Sequence, residues 1–447
     1  MTRRWTVLAA LCLLGLGGAG KPPATVQAWV TAVNSGNDEA LKALGDESVE
    51  FDHDIVEETG GFTLLKIEKD DAHTFVAILR EKLSPETWHV IFSRDPADPA
   101  RFKTIVHRYP ADPMHSMKDA LTALNDFASR MAAKDKFSGT LEIAKDGKPL
   151  YAKAFGTMGP GRPANTLETE FHYASLGKLF TAVAVLQLVD AGKISLDTPI
   201  IKYLPDYPNK PVAREVTVRM LLMMRDGLGD INLLEPQYAA NRAKVHSLAG
   251  IIALNAGHAP AFKPGSKFYY NNFSYALLGW IVQKISGEDY YAYVRRHIFE
   301  PAGMTRTSYP LRGDMDDIAT PMTNWNNTPL HSALDVFPWR GTPAGGGVST
   351  AGDLVRFTVA LAHGKLISKK LLAEAVKPTA SNVGFGFIMS GLNGFNYWGH
   401  GGDGIGASSV VDYYPQTGIS FVCLANRDPI ICERLAGNFF FRTPRPH

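Results

Sequence analysis

The chain has 447 residues, 45% of them hydrophobic and 20% charged, and its 46 Lys and Arg nearly balance 44 Asp and Glu for a formal charge of +2. Length and composition predict a globular protein of two units, one with a substantial core. The charge balance offers neither a basic stripe nor a polyanionic tail, so no nucleic-acid partner is expected.

In chain order, Arg3 and Arg4 precede an apolar run from Trp5 to about Leu16 and small residues ending near Gly20. This is the pattern of a secretory signal peptide over residues 1–20, and an exported protein, periplasmic or secreted, is expected. The run falls well short of the roughly 20 residues that span a bilayer, so no stable membrane anchor is expected after cleavage. Cys12 lies inside the run, which leaves Cys423 and Cys432. Cys423 sits in "GISFVCLAN", which reads as a buried strand, and a core cysteine is its expected role. A disulfide between the two is the alternative in an exported protein.

Residues 23–108 begin with two helical segments, "TVQAWVTAVNSG" and "DEALKALG". Four strand-like stretches follow, "GFTLLKIEK", "AHTFVAILREKL", "ETWHVIFSR" and "ARFKTIVHR", and in the third Trp88, Val90 and Phe92 share one face. A small antiparallel sheet capped by helices is expected. It resembles the small α+β accessory domains of the nuclear-transport-factor-2 type. Residues 109–115, "YPADPMH", carry two prolines and read as a linker.

The second domain is expected over 116–447. Met117, Leu121, Leu124, Ala128 and Met131 keep helical spacing, and "FSGTLEIAKDGKPLYAKAFG" reads as two strands joined across Asp146-Gly147. Near the other end, "FNYWGHGGDG", "ASSVVDYYPQTG" and "ISFVCLANRD" read as three successive antiparallel strands, followed by a helix in "PIICERLAGNFFF". One sheet assembled from both ends, with helices between them, follows from that order.

The chemistry centres on "HYASLGKLF", where Ser175 and Lys178 stand one helical turn apart. A chain this long contains roughly two Ser-x-x-Lys patterns by chance, and alone this one reads as a capping serine with a solvated lysine. Ser175, however, opens an apolar helical stretch that runs to Gly192. At a helix N-terminus its hydroxyl meets free N–H groups and the positive end of the macrodipole. Lys178 returns to the same face, and as a base it would need its pKa lowered by burial or a neighbouring cation. In "PGSKFYYNNFSYALLGW", Tyr270 and Asn272 are two apart in an extended run; "YWGHGGDGIGASS" sets His400, Gly401 and Gly402 along a strand.

With "SLGK", "YNN" and "HGG" in this order, residues 116–440 resemble the serine hydrolases of the class C β-lactamase, D-alanyl-D-alanine carboxypeptidase and esterase superfamily. "AVLQLVDAGKISLDTPIIKYLP", "AGGGVSTAGDL" and "YYPQTGISFVCLANR" support the resemblance. It implies an α/β (α+β) fold of the β-lactamase and penicillin-binding-protein type, an antiparallel sheet flanked by helices with a helical subdomain. It further implies that Ser175 is the acylated nucleophile, that Lys178 and Tyr270 share proton transfer, and that Asn272 orients substrate or Lys178. The backbone N–H groups of Ser175 and Asp403 would form the oxyanion hole, with Gly402 allowing close approach. His400 stands where β-lactamases generally carry lysine, and an ordinary histidine is largely neutral at pH 7. Esters, amides or D-amino-acid peptides are therefore expected substrates ahead of β-lactams or D-alanyl-D-alanine termini, and a non-catalytic ligand-binding protein is the reading from another class.

Two departures stand out in "LLMMRDGLG": Met224 and Asp226 replace a histidine and a serine common in the family, while Gly227 keeps the turn. None of the thirteen histidines forms a His-Glu-x-x-His or cysteine-paired zinc pattern, so neither metal nor cofactor is expected. Gly345 to Gly347 lack the lysine of a phosphate loop, and Thr350 with Asp353 reads as a helix-capping pair.

Overall fold

A computed structural model of the chain describes residues 24–46, 55–56, 59–98, 100–108, 116–231, 239–242, 245–324, 328–392, 394–428 and 431–444. The expected signal peptide and the 109–115 linker lie outside the described residues. Two compact units form: Phe137–Ala436 is one, and the described residues through Lys136 with those from Gly437 onward are the other. Among the described residues no helix is long and apolar enough to cross a membrane.

The smaller unit starts with helices α1 (Ala24–Ser35) and α2 (Asp38–Ala43). Strands β1 (Phe62–Asp70), β2 (Thr74–Glu81), β3 (Thr87–Arg94) and β4 (Phe102–Arg108) then form an antiparallel meander in sequence order. Trp88, Val90 and Phe92 alternate onto the buried face of β3 and meet Trp29 of α1 in one apolar cluster. Both buried indoles there have acceptors, as burial demands. The Trp88 indole donates to Glu81 at 2.6 Å, and that of Trp29 donates to Asp46 at 2.6 Å. Helix α3 (Met117–Ala133), read from the sequence as the start of the larger domain, groups instead with this unit. Its Arg130 pairs at 3.1 Å with Glu86, a buried carboxylate of the same unit that Arg442 also engages.

The larger unit is built on a six-stranded antiparallel sheet. It takes β5 (Gly139–Lys145) and β6 (Lys148–Phe155) from the start of the unit and β9 (Ile388–Leu392), β10 (Phe395–Gly404), β11 (Ala407–Tyr414) and β12 (Ile419–Ala425) from its end, in the order β9-β10-β11-β12-β5-β6. Hairpin, strand triplet and the closure of both ends into one sheet are as the sequence implies; β9 is the strand that its reading did not identify. A short antiparallel pair, β7 (Phe171–His172) with β8 (Val348–Ser349), stands beside it. Helix α4 (Gly177–Asp190) is buried almost all round, the signature of a core helix. Helices α5 (Phe273–Ser286) and α6 (Ala351–Ala362) pack into the same core. Thr350 accepts the Asp353 N–H at the start of α6, the expected cap, and α7 (Ile431–Arg442) ends the fold.

Cys423, wholly buried on β12, is joined by a disulfide to Cys432 in α7, so its core position and the bridge coexist. Closing a loop across nine residues is worth roughly 2–3 kcal/mol in the chain-entropy account. Reduction, or Cys432→Ala, should therefore lower the thermal midpoint by several degrees, and both thiols should resist alkylation in denaturant until reduced. An unchanged midpoint with immediate alkylation would contradict the bridge.

Candidate active site

The site grows from the backbone between β7 and α4. Tyr173 donates its N–H to the Gly347 carbonyl at 3.1 Å, and its own carbonyl accepts the Ser409 hydroxyl at 2.9 Å. Ala174 then takes a φ of 44°, a left-handed conformation costly for a residue with a Cβ and of the kind that clusters at functional sites. The tight turn Ala174–Leu176 follows, and it delivers Ser175 at the N-terminal end of α4, half-buried with its hydroxyl facing Lys178.

Lys178 lies one turn further, with none of its surface exposed. Its Nζ is 3.1 Å from Ser175 Oγ, 2.7 Å from Asn272 Oδ1 and 3.0 Å from the Ala344 carbonyl oxygen. Burial pulls its pKa down to about 7, against the opposing pull of the Asp230 carboxylate. A neutral amine has two N–H bonds and one lone pair. Asn272 and Ala344 can only accept here, so they take the two protons and leave the lone pair directed at Ser175. Tyr270 completes the arrangement by donating its hydroxyl to Ser175 Oγ at 2.8 Å, with the Lys178 ammonium position 4.7 Å from its ring centre.

Asn272 occupies the N-cap position of α5, but its side chain makes no cap hydrogen bond and is committed to Lys178. Its backbone N–H donates to Asp230 at 2.5 Å. Asp226, the departure at the "LLMMRDGLG" turn, is wholly buried; its carboxylate accepts the Ser274 hydroxyl at 2.5 Å and the Leu228 N–H at 2.9 Å. Burial raises its pKa. The substitution thus anchors the first turn of the helix that carries Asn272, and Gly227, at φ +75°, keeps the turn.

Strand β10 brings the "HGG" residues to the same place. A Cβ built on Gly402 would lie 2.9 Å from the Ser175 amide nitrogen and 2.6 Å from the Tyr173 carbonyl oxygen, so only glycine fits. Gly404 pairs with Ala407 across a two-residue turn and Gly402 with Ser409. Since such a turn is closed by a hydrogen-bonded pair and the ladder then alternates, the N–H groups of Gly401 and Asp403 turn away from β11. The Asp403 side chain is exposed. His400 is wholly buried, its Nδ1 donates to the Gly401 carbonyl, and its ring centre is 6.4 Å from that of Tyr270.

Two contributors escaped sequence reasoning. Asp230 carried no signal beyond its place after Gly229. The glycine run after Ala344 was visible, but its use was not: Gly346 donates to the Ala174 carbonyl at 3.0 Å, and Gly345, at φ +150°, packs so that a Cβ would lie 2.1 Å from that oxygen. Among the described residues no group of three or more His, Cys, Asp or Glu is placed to hold a metal ion.

Residues 124–436 match the family described as Beta-lactamase. The chain belongs to the beta-lactamase family. Within it, Penicillin-binding protein 4* of Bacillus subtilis is 29% identical over 280 residues, 58% of this chain and 61% of that protein, so the chain spans about three fifths of that relative's length. Among solved structures, a penicillin-binding protein from Bacillus halodurans aligns with TM-score 0.62 and 26% identity over 71% of this chain and 97% of its own. A D-stereospecific amidohydrolase from Streptomyces sp. aligns with TM-score 0.59 and 25% identity over 69% and 95%. The beta-lactamase fold, antiparallel sheet flanked by helices, is thus the fold of the larger unit.

The electrostatics of this beta-lactamase-family site can be read without any substrate. In 13C NMR of lysine-labelled protein, one Cε signal should titrate near pH 7, well below the other lysines, and vanish in Lys178→Arg. Because the Asp230 charge raises the Lys178 pKa, Asp230→Asn should move that midpoint lower; an upward or absent shift would refute the coupling.

Proposed function

We propose that this chain is an exported serine hydrolase that cleaves an ester or amide bond through an acyl-enzyme on Ser175, with esters and D-amino-acid amides or peptides as its substrate class. The observation that carries the reading is the position of Ser175 Oγ, 3.1 Å from a buried lysine amine and 2.8 Å from the Tyr270 hydroxyl. Lys178 takes the Ser175 proton as Oγ bonds to the carbonyl carbon. The N–H groups of Ser175 and Asp403 hold the oxyanion, and Tyr270 gives its proton to the leaving group as the tetrahedral intermediate collapses. The tyrosinate left behind is stabilised by the neighbouring Lys178 ammonium. In deacylation Tyr270 recovers its proton from the attacking water, Lys178 returns the other to Ser175, and both groups are restored.

Substrate class follows from what the "HGG" strand offers. A buried histidine bonded to a backbone carbonyl replaces a lysine ammonium, and the site therefore lacks that cation for the carboxylate of a β-lactam. Similarity to the D-stereospecific amidohydrolase supports the amide reading. The names of the penicillin-binding relatives favour a second reading, a β-lactamase or D-alanyl-D-alanine carboxypeptidase.

A fluorophosphonate probe should label the folded wild type and not Ser175→Ala; Lys178→Met and Tyr270→Phe should each slow labelling by about 10²-fold or more. Folded wild type that takes no label would instead indicate a ligand-binding protein. With a panel of short acyl esters, D-alanyl amides and a chromogenic cephalosporin, the first two should turn over fastest, and a preference for the cephalosporin would shift the assignment to the second reading. Since Lys178 acts as a base only when neutral, kcat/KM should rise with pH through about 7 to a plateau.

A further inference from the structure

A cavity of about 360 Å³ opens in the larger unit beside β7. His172 lies in its wall, three residues before the nucleophile, with Arg162 and Arg312 and an apolar stretch of Met315, Pro321 and Leu334. No step of the proposed reaction uses these residues.

His172 is only 3% exposed, and neither ring nitrogen makes a hydrogen bond of ordinary geometry. Burial, partly offset by the Gly346 peptide, lowers its pKa to about 4. The ring is therefore neutral at physiological pH, held edge-on against Phe337 at 4.7 Å between ring centres. The ring N–H faces the Gly346 peptide, though not in good alignment, so the hydrogen-bond donors that the cavity offers are those of the two arginines. Arg162 is fixed by the backbone carbonyls of Ile318, at 2.6 Å, and Asp316, and by the Thr320 hydroxyl. Arg312 gives one N–H to the Phe337 carbonyl at 3.0 Å, which leaves most of its guanidinium donors uncommitted. Among the described residues neither forms an ion pair with a carboxylate. Asp316 also lines the cavity, and its negative charge disfavours a dianion.

We propose that this cavity is a second ligand site, selective for a small organic monocarboxylate with an aliphatic or aromatic tail. The carboxylate lies on the Arg312 and Arg162 guanidinium groups, which suit its planar fork. The tail covers Met315, Pro321 and Leu334. A cavity of this volume has room for an acid of several carbons.

Calorimetric titration of the full chain with hexanoate, phenylacetate, hexylamine and inorganic phosphate tests the proposal. Hexanoate and phenylacetate should bind saturably and hexylamine should not, with phosphate weaker than either acid. Arg312→Gln, a change at an exposed residue, should weaken the acids at least tenfold, whereas Tyr270→Phe should leave them unchanged. No binding of either acid, phosphate binding tighter than the acids, or acid binding that survives Arg312→Gln and falls in Tyr270→Phe would each overturn it. The last result would place the acids at the nucleophile instead, and because labelling of Ser175 is a separate readout, the two assignments fail independently.

Discussion

The structure of the larger unit turns on one amine removed from water. A lysine in the wholly buried wall of an apolar helix loses several kcal/mol of hydration if it stays charged, and the protein answers by letting its pKa fall to about 7. Burial alone would leave a neutral amine with no defined direction. Asn272 and the Ala344 carbonyl supply that direction by accepting its two N–H bonds, and the remaining lone pair meets Ser175. Asp230 acts on both parts of this device. It grips the Asn272 backbone and its charge moderates the fall in pKa, so one carboxylate sets both the orientation of the amide and the acidity of the amine.

Close backbone packing makes the geometry durable. The turn that presents Ser175 includes a left-handed Ala174 and is held by the Gly345–Gly347 loop on one side and by β10 and β11 on the other. Gly345 and Gly402 stand where any Cβ would enter the backbone of that turn. The apolar core around α4 and α5 then prevents the two helices from sliding apart, which would separate Ser175 and Lys178 from Asn272. Sheet, glycine loop and helix pair therefore converge on fixing three hydrogen bonds.

Much of this was legible in the residues. The hairpin across Asp146-Gly147 and the strands following Phe395 are local patterns, and the Ser175, Lys178, Tyr270 and Asn272 set is a group of motifs whose side chains the structure brings together. What was not legible depends on contacts between distant segments. Nothing in "DGLGD" says that Asp230 will meet Asn272, and a glycine run reads as a loop whether or not the Ser175 turn rests on it. Helix α3 has an amphipathic pattern that names no partner, and its ion pair with Glu86 joins residues 44 apart in a way that no local rule contains. Cys423 shows the same limit, since a strand cysteine looks apolar from its neighbours while its partner arrives from α7.

In the proposed reaction, covalent chemistry passes through Ser175 under the control of this buried amine. Rapid quenching of the reaction with an activated ester, followed by intact-mass and peptide analysis, tests it most directly. A burst of leaving group approaching one per chain and an acyl adduct on Ser175 are expected, both absent from Ser175→Ala. Turnover that persists in folded Ser175→Ala, or an adduct on another residue, would contradict it.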